Sequence, residues 1–264
     1  MRGEVQDVVA RVAYPILVFL VLVLLWQWGA ERAILPAYVL PAPSAIALRT
    51  AATVPVMLGH AVVTTYEIAC GFLLALVCGV FLAWMIAHVR VFEQAFYPWL
   101  VFIQVLPKVA LGPLLVVWLG VGFLPKALVS FLLAFFPVMI DTLVGLKSVQ
   151  RDYVFLLRSM GATRLRRFLL FQLPYALPHI FGALKVAITL AVVGAIVGEF
   201  IGADKGLGYV LIVATGSLDT VLIFVALVWI SALSLLLYAL VCLFERIFLS
   251  WHTAARAHEI RDAA

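Results

Sequence analysis

The chain alternates long apolar stretches with short polar punctuation. Four windows contain no charged residue: nineteen residues between Arg11 and Glu31, twenty-two between Glu67 and Arg90, seventeen between Lys108 and Lys126, and twenty-five between Asp219 and Glu245. A membrane-spanning helix needs about 20 apolar residues, so each window approaches or exceeds that length. Two more apolar stretches are interrupted by charge: Asp141 falls within 127–146 and Lys185 within 180–200. The pattern predicts six spans, at Val12–Trp28, Ala69–Ala87, Tyr97–Leu119, Lys126–Gly145, Ile180–Phe200 and Val221–Phe244. The expected fold is therefore all-α: a polytopic membrane protein whose residues 1–264 form one transmembrane domain.

Composition supports this. The chain is 66% hydrophobic and 12% charged, with a mean hydropathy of +1.20. A soluble domain carries about half apolar and about a quarter charged residues. One globule cannot bury such a surplus, so it faces lipid. A soluble enzyme, a disordered chain, a nucleic-acid module and a secreted disulfide scaffold are excluded. Cys70, Cys78 and Cys242 sit in apolar runs without CxxC or metal-ligand spacing, so they are expected as small core hydrophobes. No metal site is expected. The first span carries Glu4 and Asp7 before it and no A-x-A site after it, so it is expected as a retained helix rather than a signal peptide.

Charge distribution sets the expected orientation. With the N-terminus inside, twelve of the eighteen Lys and Arg residues lie in inner segments and four in outer ones, while Lys108 and Lys185 lie within spans. The positive-inside bias places both termini in the cytoplasm. On that reading 29–66 and 201–220 are outer loops, and 146–179 is a cytoplasmic loop. Ser44 is a candidate cap for a short helix in the first of these.

The cytoplasmic loop carries the most information. Gly161 suits the left-handed position that ends a helix, and Thr163 suits the N-cap of the next. Leu165, Phe168, Leu169 and Gln172 follow helical spacing and share one face, and Arg164, Arg166 and Arg167 lie away from much of that stripe. Pro174 is expected to stop the pattern before the next span. Physics alone leaves three readings open: an interfacial helix pair on anionic lipid, an ordinary basic loop, or a helix offered to a cytoplasmic partner.

Further residues resolve that choice by resemblance. Gly161, nine residues, then Phe171-Gln-Leu-Pro174 resembles the coupling-loop signature E-A-A-x3-G-x9-I-x-L-P of ATP-binding-cassette importer permeases. Gly198-Glu-Phe-Ile-Gly-Ala-Asp-Lys-Gly-Leu-Gly-Tyr209, Leu40-Pro-Ala-Pro-Ser-Ala-Ile46 and Pro113-Leu-Leu-Val-Val-Trp-Leu-Gly120 resemble the nitrate/sulfonate/taurine-type branch of that family. The likeness covers residues 35–250. It implies a core of five helices plus one N-terminal helix in the inner or plasma membrane. It implies a homodimer, or a heterodimer with a sister permease, bound to two cytoplasmic ATPase subunits and served by a periplasmic or lipid-anchored binding protein. The chain has no GxxxxGK[ST] loop, so ATP is expected on the partner subunit and this chain needs no cofactor. The coupling contact is expected at Phe155, Leu156, Leu157, Gly161, Ala162, Thr163, Phe171, Leu173 and Pro174. Phe155-Leu-Leu157 replaces the signature's E-A-A, which makes that contact more apolar.

Charges inside spans are costly and are functional candidates. Gln104, Pro107 and Lys108 are candidates for the translocation path, with Pro107 able to kink its helix. Glu199, Gly206 and Gly208 are candidates for an outer gate; Glu199 alternatively is a helix-end carboxylate held by loop amides. Glu67 is expected at the interface. Asp141 and Lys185 have similar depth and form a candidate ion pair, with Lys185 reaching the inner surface as the alternative. The implied substrate is a nitrate, sulfonate or taurine-like anion, or a thiamine-precursor pyrimidine or other small heterocycle; the run Leu106-Pro-Lys-Val-Ala110 resembles the permeases of that second group. HExxH and GxSxG are absent, which argues against an intramembrane enzyme. An ion-coupled carrier or channel is the remaining alternative.

Overall fold

Among the described residues, five helices are long and apolar enough to cross a bilayer, and a bent helix pair supplies up to a sixth crossing. The computed structural model describes residues 2–32, 36, 38–149, 153, 157 and 159–249, with side chains from 13 onward except those of 90, 97, 101, 164 and 165. Helix α1 is Arg2–Glu31 and α2 is Pro43–His88. At 46 residues, α2 is about 69 Å long, more than twice the bilayer's hydrocarbon thickness. The expected loop at 29–66 is therefore helical from Pro43 onward. Proline at the first helical position has its φ preset and no N–H to leave unpaired. Ser44 is not the cap; Ala42 occupies that place. Instead the Ser44 backbone N–H donates to Gln27 Oε1 and Gln27 Nε2 donates to Ser44 Oγ, both at 3.0 Å, which pins α1 to α2.

The third expected span is broken. Helix α3 (Arg90–Val105) gives way to a 3₁₀ turn (Lys108–Leu111) and then α4 (Gly112–Leu119), with 87° between the halves. Pro107 forces Leu106 out of the helical region, and Leu106 is extended at ψ 139. Helix α5 is Phe123–Lys147. A short α6 (Arg164–Arg167) enters a π-helical turn (Phe168–Gln172) that runs into α7 (Leu173–Gly202). Pro174 thus does not stop the helix. The π turn bonds the Leu173 N–H to the Phe168 carbonyl, and this widened turn accommodates a proline that would crowd an ordinary one. Helix α8 is Leu207–Gly216, and α9 is Thr220–Phe248, capped by Asp219 Oδ1 accepting from Leu222 N–H at 3.0 Å. The segment 201–220 therefore holds a ten-residue helix rather than only a loop.

Helix α5 is the centre, with α2 on one side and α7 on the other. Small residues let the backbones meet, as expected where dispersion and packing drive helix association. A Cβ at Gly71 would lie 2.6 Å from the Ala127 carbonyl oxygen, and one at Gly194 would lie 2.6 Å from Ser130 Cα. Ser130 Oγ donates to the Ala191 carbonyl at 2.9 Å across the same contact. Gly194→Val is therefore expected to destabilise the fold by about 1–3 kcal/mol or more, seen as loss of the monodisperse peak in size-exclusion chromatography of detergent extracts. Cys70, expected in the core, is exposed on α2. In a bilayer both faces of a helix are apolar, so an apolar run does not distinguish core from lipid.

Candidate functional site

Two constellations lie at opposite ends of α7. At its start, the segment around Gly161 has the turn and cap that Gly161 and Thr163 predict. Gly161 adopts φ +75, and the Ala162 N–H donates to the Leu157 carbonyl at 3.0 Å. A bond from two residues past the cap back to the last turn is a Schellman closure. Thr163 caps the next helix: Arg166 N–H donates to its Oγ1 at 3.3 Å. Phe155 and Leu156 lie outside the described residues. Leu169, Leu170 and Phe171 are exposed, while Phe168 and Gln172 turn inward to α2. Phe168 packs edge-on against Trp84 and His88, and His88 Nε2 lies 2.7 Å from Gln172 Oε1. The expected apolar face is thus divided, because the π turn shifts the register and leaves Leu169 outside.

The broken span lies beside a groove of about 540 Å³ between α3 and α5. Gln104 lines it with Leu100, Met139, Ile140, Leu143, Val144, Lys147 and Ser148. Lys147 Nζ is 2.6 Å from Glu93 Oε1. Pro107 and Lys108 are not among the lining residues. Lys108 Nζ donates to the Gln104 carbonyl at 2.9 Å and sits 4.6 Å from the centroid of the Phe136 ring, a cation–π contact.

At the far end of α7 is a buried polar cluster of which the sequence indicated Glu199, Gly206 and Gly208 but not the partners on α2 and α5. Glu67, Glu199 and Lys126 are 0%, 2% and 4% exposed. Lys126 Nζ is 2.7 Å from Glu67 Oε1, so Glu67 is not interfacial. Thr64 Oγ1 donates to Glu199 Oε1 at 2.6 Å and accepts the Leu207 N–H at 2.9 Å. The Gly208 N–H donates to Glu199 Oε2, and the Gly206 N–H donates to His60 Nδ1 at 3.1 Å. Both glycines are required by contact: a Cβ on either would overlap the Glu199 carboxyl group. The structure thus joins Glu199, Gly206 and Gly208, and adds His60, Thr64, Glu67 and Lys126.

Residues 75–251 match the family of binding-protein-dependent transport system inner membrane components. The chain belongs to that family. The permease is 37% identical over 242 residues to the riboflavin transport system permease protein RibX of Chloroflexus aurantiacus, covering 91% of this chain and 90% of that one. It is 37% identical over 238 residues to the formylaminopyrimidine transport permease protein ThiX of Halalkalibacterium halodurans, covering 90% and 95%. It is 27% identical over 236 residues to the putative aliphatic sulfonates transport permease protein SsuC of Bacillus subtilis, covering 89% and 86%. It is a multi-pass inner-membrane ABC importer permease, of a family of transport subunits that work with ATPase and substrate-binding proteins.

One expected contact of the permease is corrected. Lys185 does not pair with Asp141; its Nζ lies 2.6 Å from Glu245 Oε2 on α9. On α7 the residues that meet α5 include Ala176 and Gly194, and Lys185, nine residues from each, lies about half a turn away from that face, toward α9. Depth alone does not decide a pair when the faces differ. The Lys185–Glu245 side chains are under a third exposed. Reversing either charge is expected to cost on the order of 1–2 kcal/mol. The double reversal is expected to recover it, while Asp141→Asn leaves stability near wild type. Thermal unfolding of the four variants checks this, and a double reversal no better than the singles would exclude the pair.

Proposed function

We propose that the permease is one half of a homodimeric importer that passes a small aromatic heterocycle, of the flavin or pyrimidine kind, across the inner membrane. The single observation that carries the substrate class is the near full-length similarity to permeases named for riboflavin and formylaminopyrimidine, which exceeds the similarity to the sulfonate permease. The groove beside Gln104 agrees with it. Its walls are mainly aliphatic with a few polar groups, which suits a flat, largely uncharged ligand. The nearby cations are already engaged, Lys108 with Gln104 and Phe136 and Lys147 with Glu93, so neither is an open anion site.

In this reading both termini and the Gly161 segment face the cytoplasm, where each coupling segment sits on one of two ATPase subunits. Exposed Leu169, Leu170 and Phe171 suit an apolar groove on that partner. An external binding protein delivers the solute at the opposite face. ATP binding draws the ATPase subunits together, the coupling segments follow, and the spans exchange which side the path opens to. The permease forms and breaks no bond; it acts through different affinities of its two states for its partners. The test is a thermal-shift screen of the cognate binding protein with riboflavin, formylaminopyrimidine, taurine and an alkanesulfonate, followed by uptake into proteoliposomes holding the complex. Stabilisation by a heterocycle and its ATP-dependent uptake are expected. Response to taurine or the sulfonate alone would overturn the substrate class, and uptake without an ATPase subunit would overturn the importer reading.

A further inference from the structure

Helix α8 is a short helix between two positive-φ positions. Gly206 before it adopts φ +120, and Leu218 after it adopts φ +56. Leu218 is the positive-φ residue other than glycine among the described residues, and it is 83% exposed. Leu218 is the left-handed residue that closes the C-terminus of α8: its N–H donates to the Thr215 carbonyl at 3.2 Å and the Asp219 N–H to the Ala214 carbonyl at 3.0 Å. The first amides of a helix have no partner within it. At α8 the N–H groups of Gly206, Leu207 and Gly208 find theirs on other helices: His60 Nδ1 and Thr64 Oγ1 from α2, and Glu199 Oε2 from α7. His60 also stacks on Tyr209 of α8, with ring centroids 6.1 Å apart. All three bonds connect α8 to the core and none lies within α8 itself.

The α2–α5–α7 contact is made by small residues around Ser130, and α8 adds Leu207, Val210 and Ala214 to the buried side of the molecule. The cluster is also graded: Glu199 bonds α8 directly, Thr64 bonds both Glu199 and α8, and the Glu67–Lys126 pair stands behind them with no bond to α8. Moving α8 away would unmake the three bonds together, which is the behaviour of a latch with two states rather than a spring.

We propose that Glu199 and Thr64 are positioning residues for transport: they latch α8 onto α2 and α7, and release of this latch, with pivoting at Gly206 and Leu218, is the movement of a gate. The proposal rests on the importer reading above and names the moving part. The experiment is hydrogen exchange of amides 206–208 in the complete complex with its ATPase in lipid nanodiscs, without nucleotide and with ATP and vanadate. In the wild type, exchange is expected to be slow without nucleotide and about tenfold faster with it. In Thr64→Val, which keeps the side-chain shape, and in Glu199→Gln, it is expected to be about tenfold faster without nucleotide, with exchange along α5 unchanged. Slow exchange in both variants would overturn the latch. Wild-type exchange indifferent to nucleotide, with ATPase bound and hydrolysing, would overturn its role as a gate. Failure of any ATPase to bind the wild-type chain would overturn the importer reading and the gate with it, and is recognised by the absence of ATPase from the purified nanodisc complex, whatever the exchange at 206–208.

Discussion

Lys126→Met is expected to cause the largest loss of stability of any single substitution in the buried cluster. Lys126 is 4% exposed, and its ammonium is 2.7 Å from a carboxylate that is itself fully buried. Removing the cation leaves Glu67 desolvated and unpaired beside a second carboxyl group, that of Glu199. Breaking a buried pair in this way costs about 3–5 kcal/mol, a large part of the total stability of most folds. The variant is expected to extract from membranes as aggregate. Replacing both partners, Glu67→Gln with Lys126→Met, is expected to recover most of the loss, because an unpaired charge costs more than a missing pair. Size-exclusion profiles and thermal midpoints of the two single variants and the double variant decide it. A double variant as unstable as Lys126→Met alone would place the cost elsewhere than in the pair.

The same cluster shows where reading the sequence succeeds and where it stops. Charge-free windows locate the spans well, because lipid excludes unpaired charge. The expected spans at 12–28, 69–87 and 221–244 lie within α1, α2 and α9, and the two charge-interrupted stretches lie within α5 and α7, whereas the window 109–125 falls across the 3₁₀ turn, α4 and the start of α5. The rule then misleads at the residues that bound those windows. Glu67 and Lys126 read as span boundaries because each is charged and they stand 59 positions apart. In the fold they neutralise one another, so both lie inside the protein. No local pattern in a single sequence links such distant partners, and α2 accordingly begins at Pro43 rather than near Ala69. The Asp141–Lys185 expectation failed for the complementary reason: sequence estimates depth along a helix better than the direction a side chain takes around it. By contrast, Gly161 and Thr163 were legible because their signals are local. A left-handed residue and an N-cap are demands of the backbone that a few neighbours determine. Pro174 has an equally local signal, but the π turn before it absorbs the conflict, and nothing in the residue types announces that turn.

That local legibility gives the coupling segment its sharpest test. Gly161→Val is expected to lower ATP-dependent uptake by about tenfold or more while leaving the amount of permease in the membrane unchanged. The two halves of this expectation have different sources. A Cβ at Gly161 would meet no atom within 4 Å, so the substitution creates no clash. The cost is conformational: φ +75 is disfavoured for any residue with a Cβ by about 1–2 kcal/mol, and more for a β-branched one. About 1.4 kcal/mol corresponds to tenfold in an equilibrium. The chain would relieve the strain by giving up the Ala162 N–H to Leu157 bond, which re-aims the segment that precedes Gly161 relative to the helix Thr163 caps. On the proposed reading, that angle sets how the segment seats on an ATPase and not how the spans fold. Gly161→Asn tolerates the left-handed region and is expected to keep most of the uptake. Uptake in proteoliposomes, normalised to permease content, compares the two. Equal impairment by valine and asparagine would show that Gly161 acts through contact with the partner and not through its backbone angle.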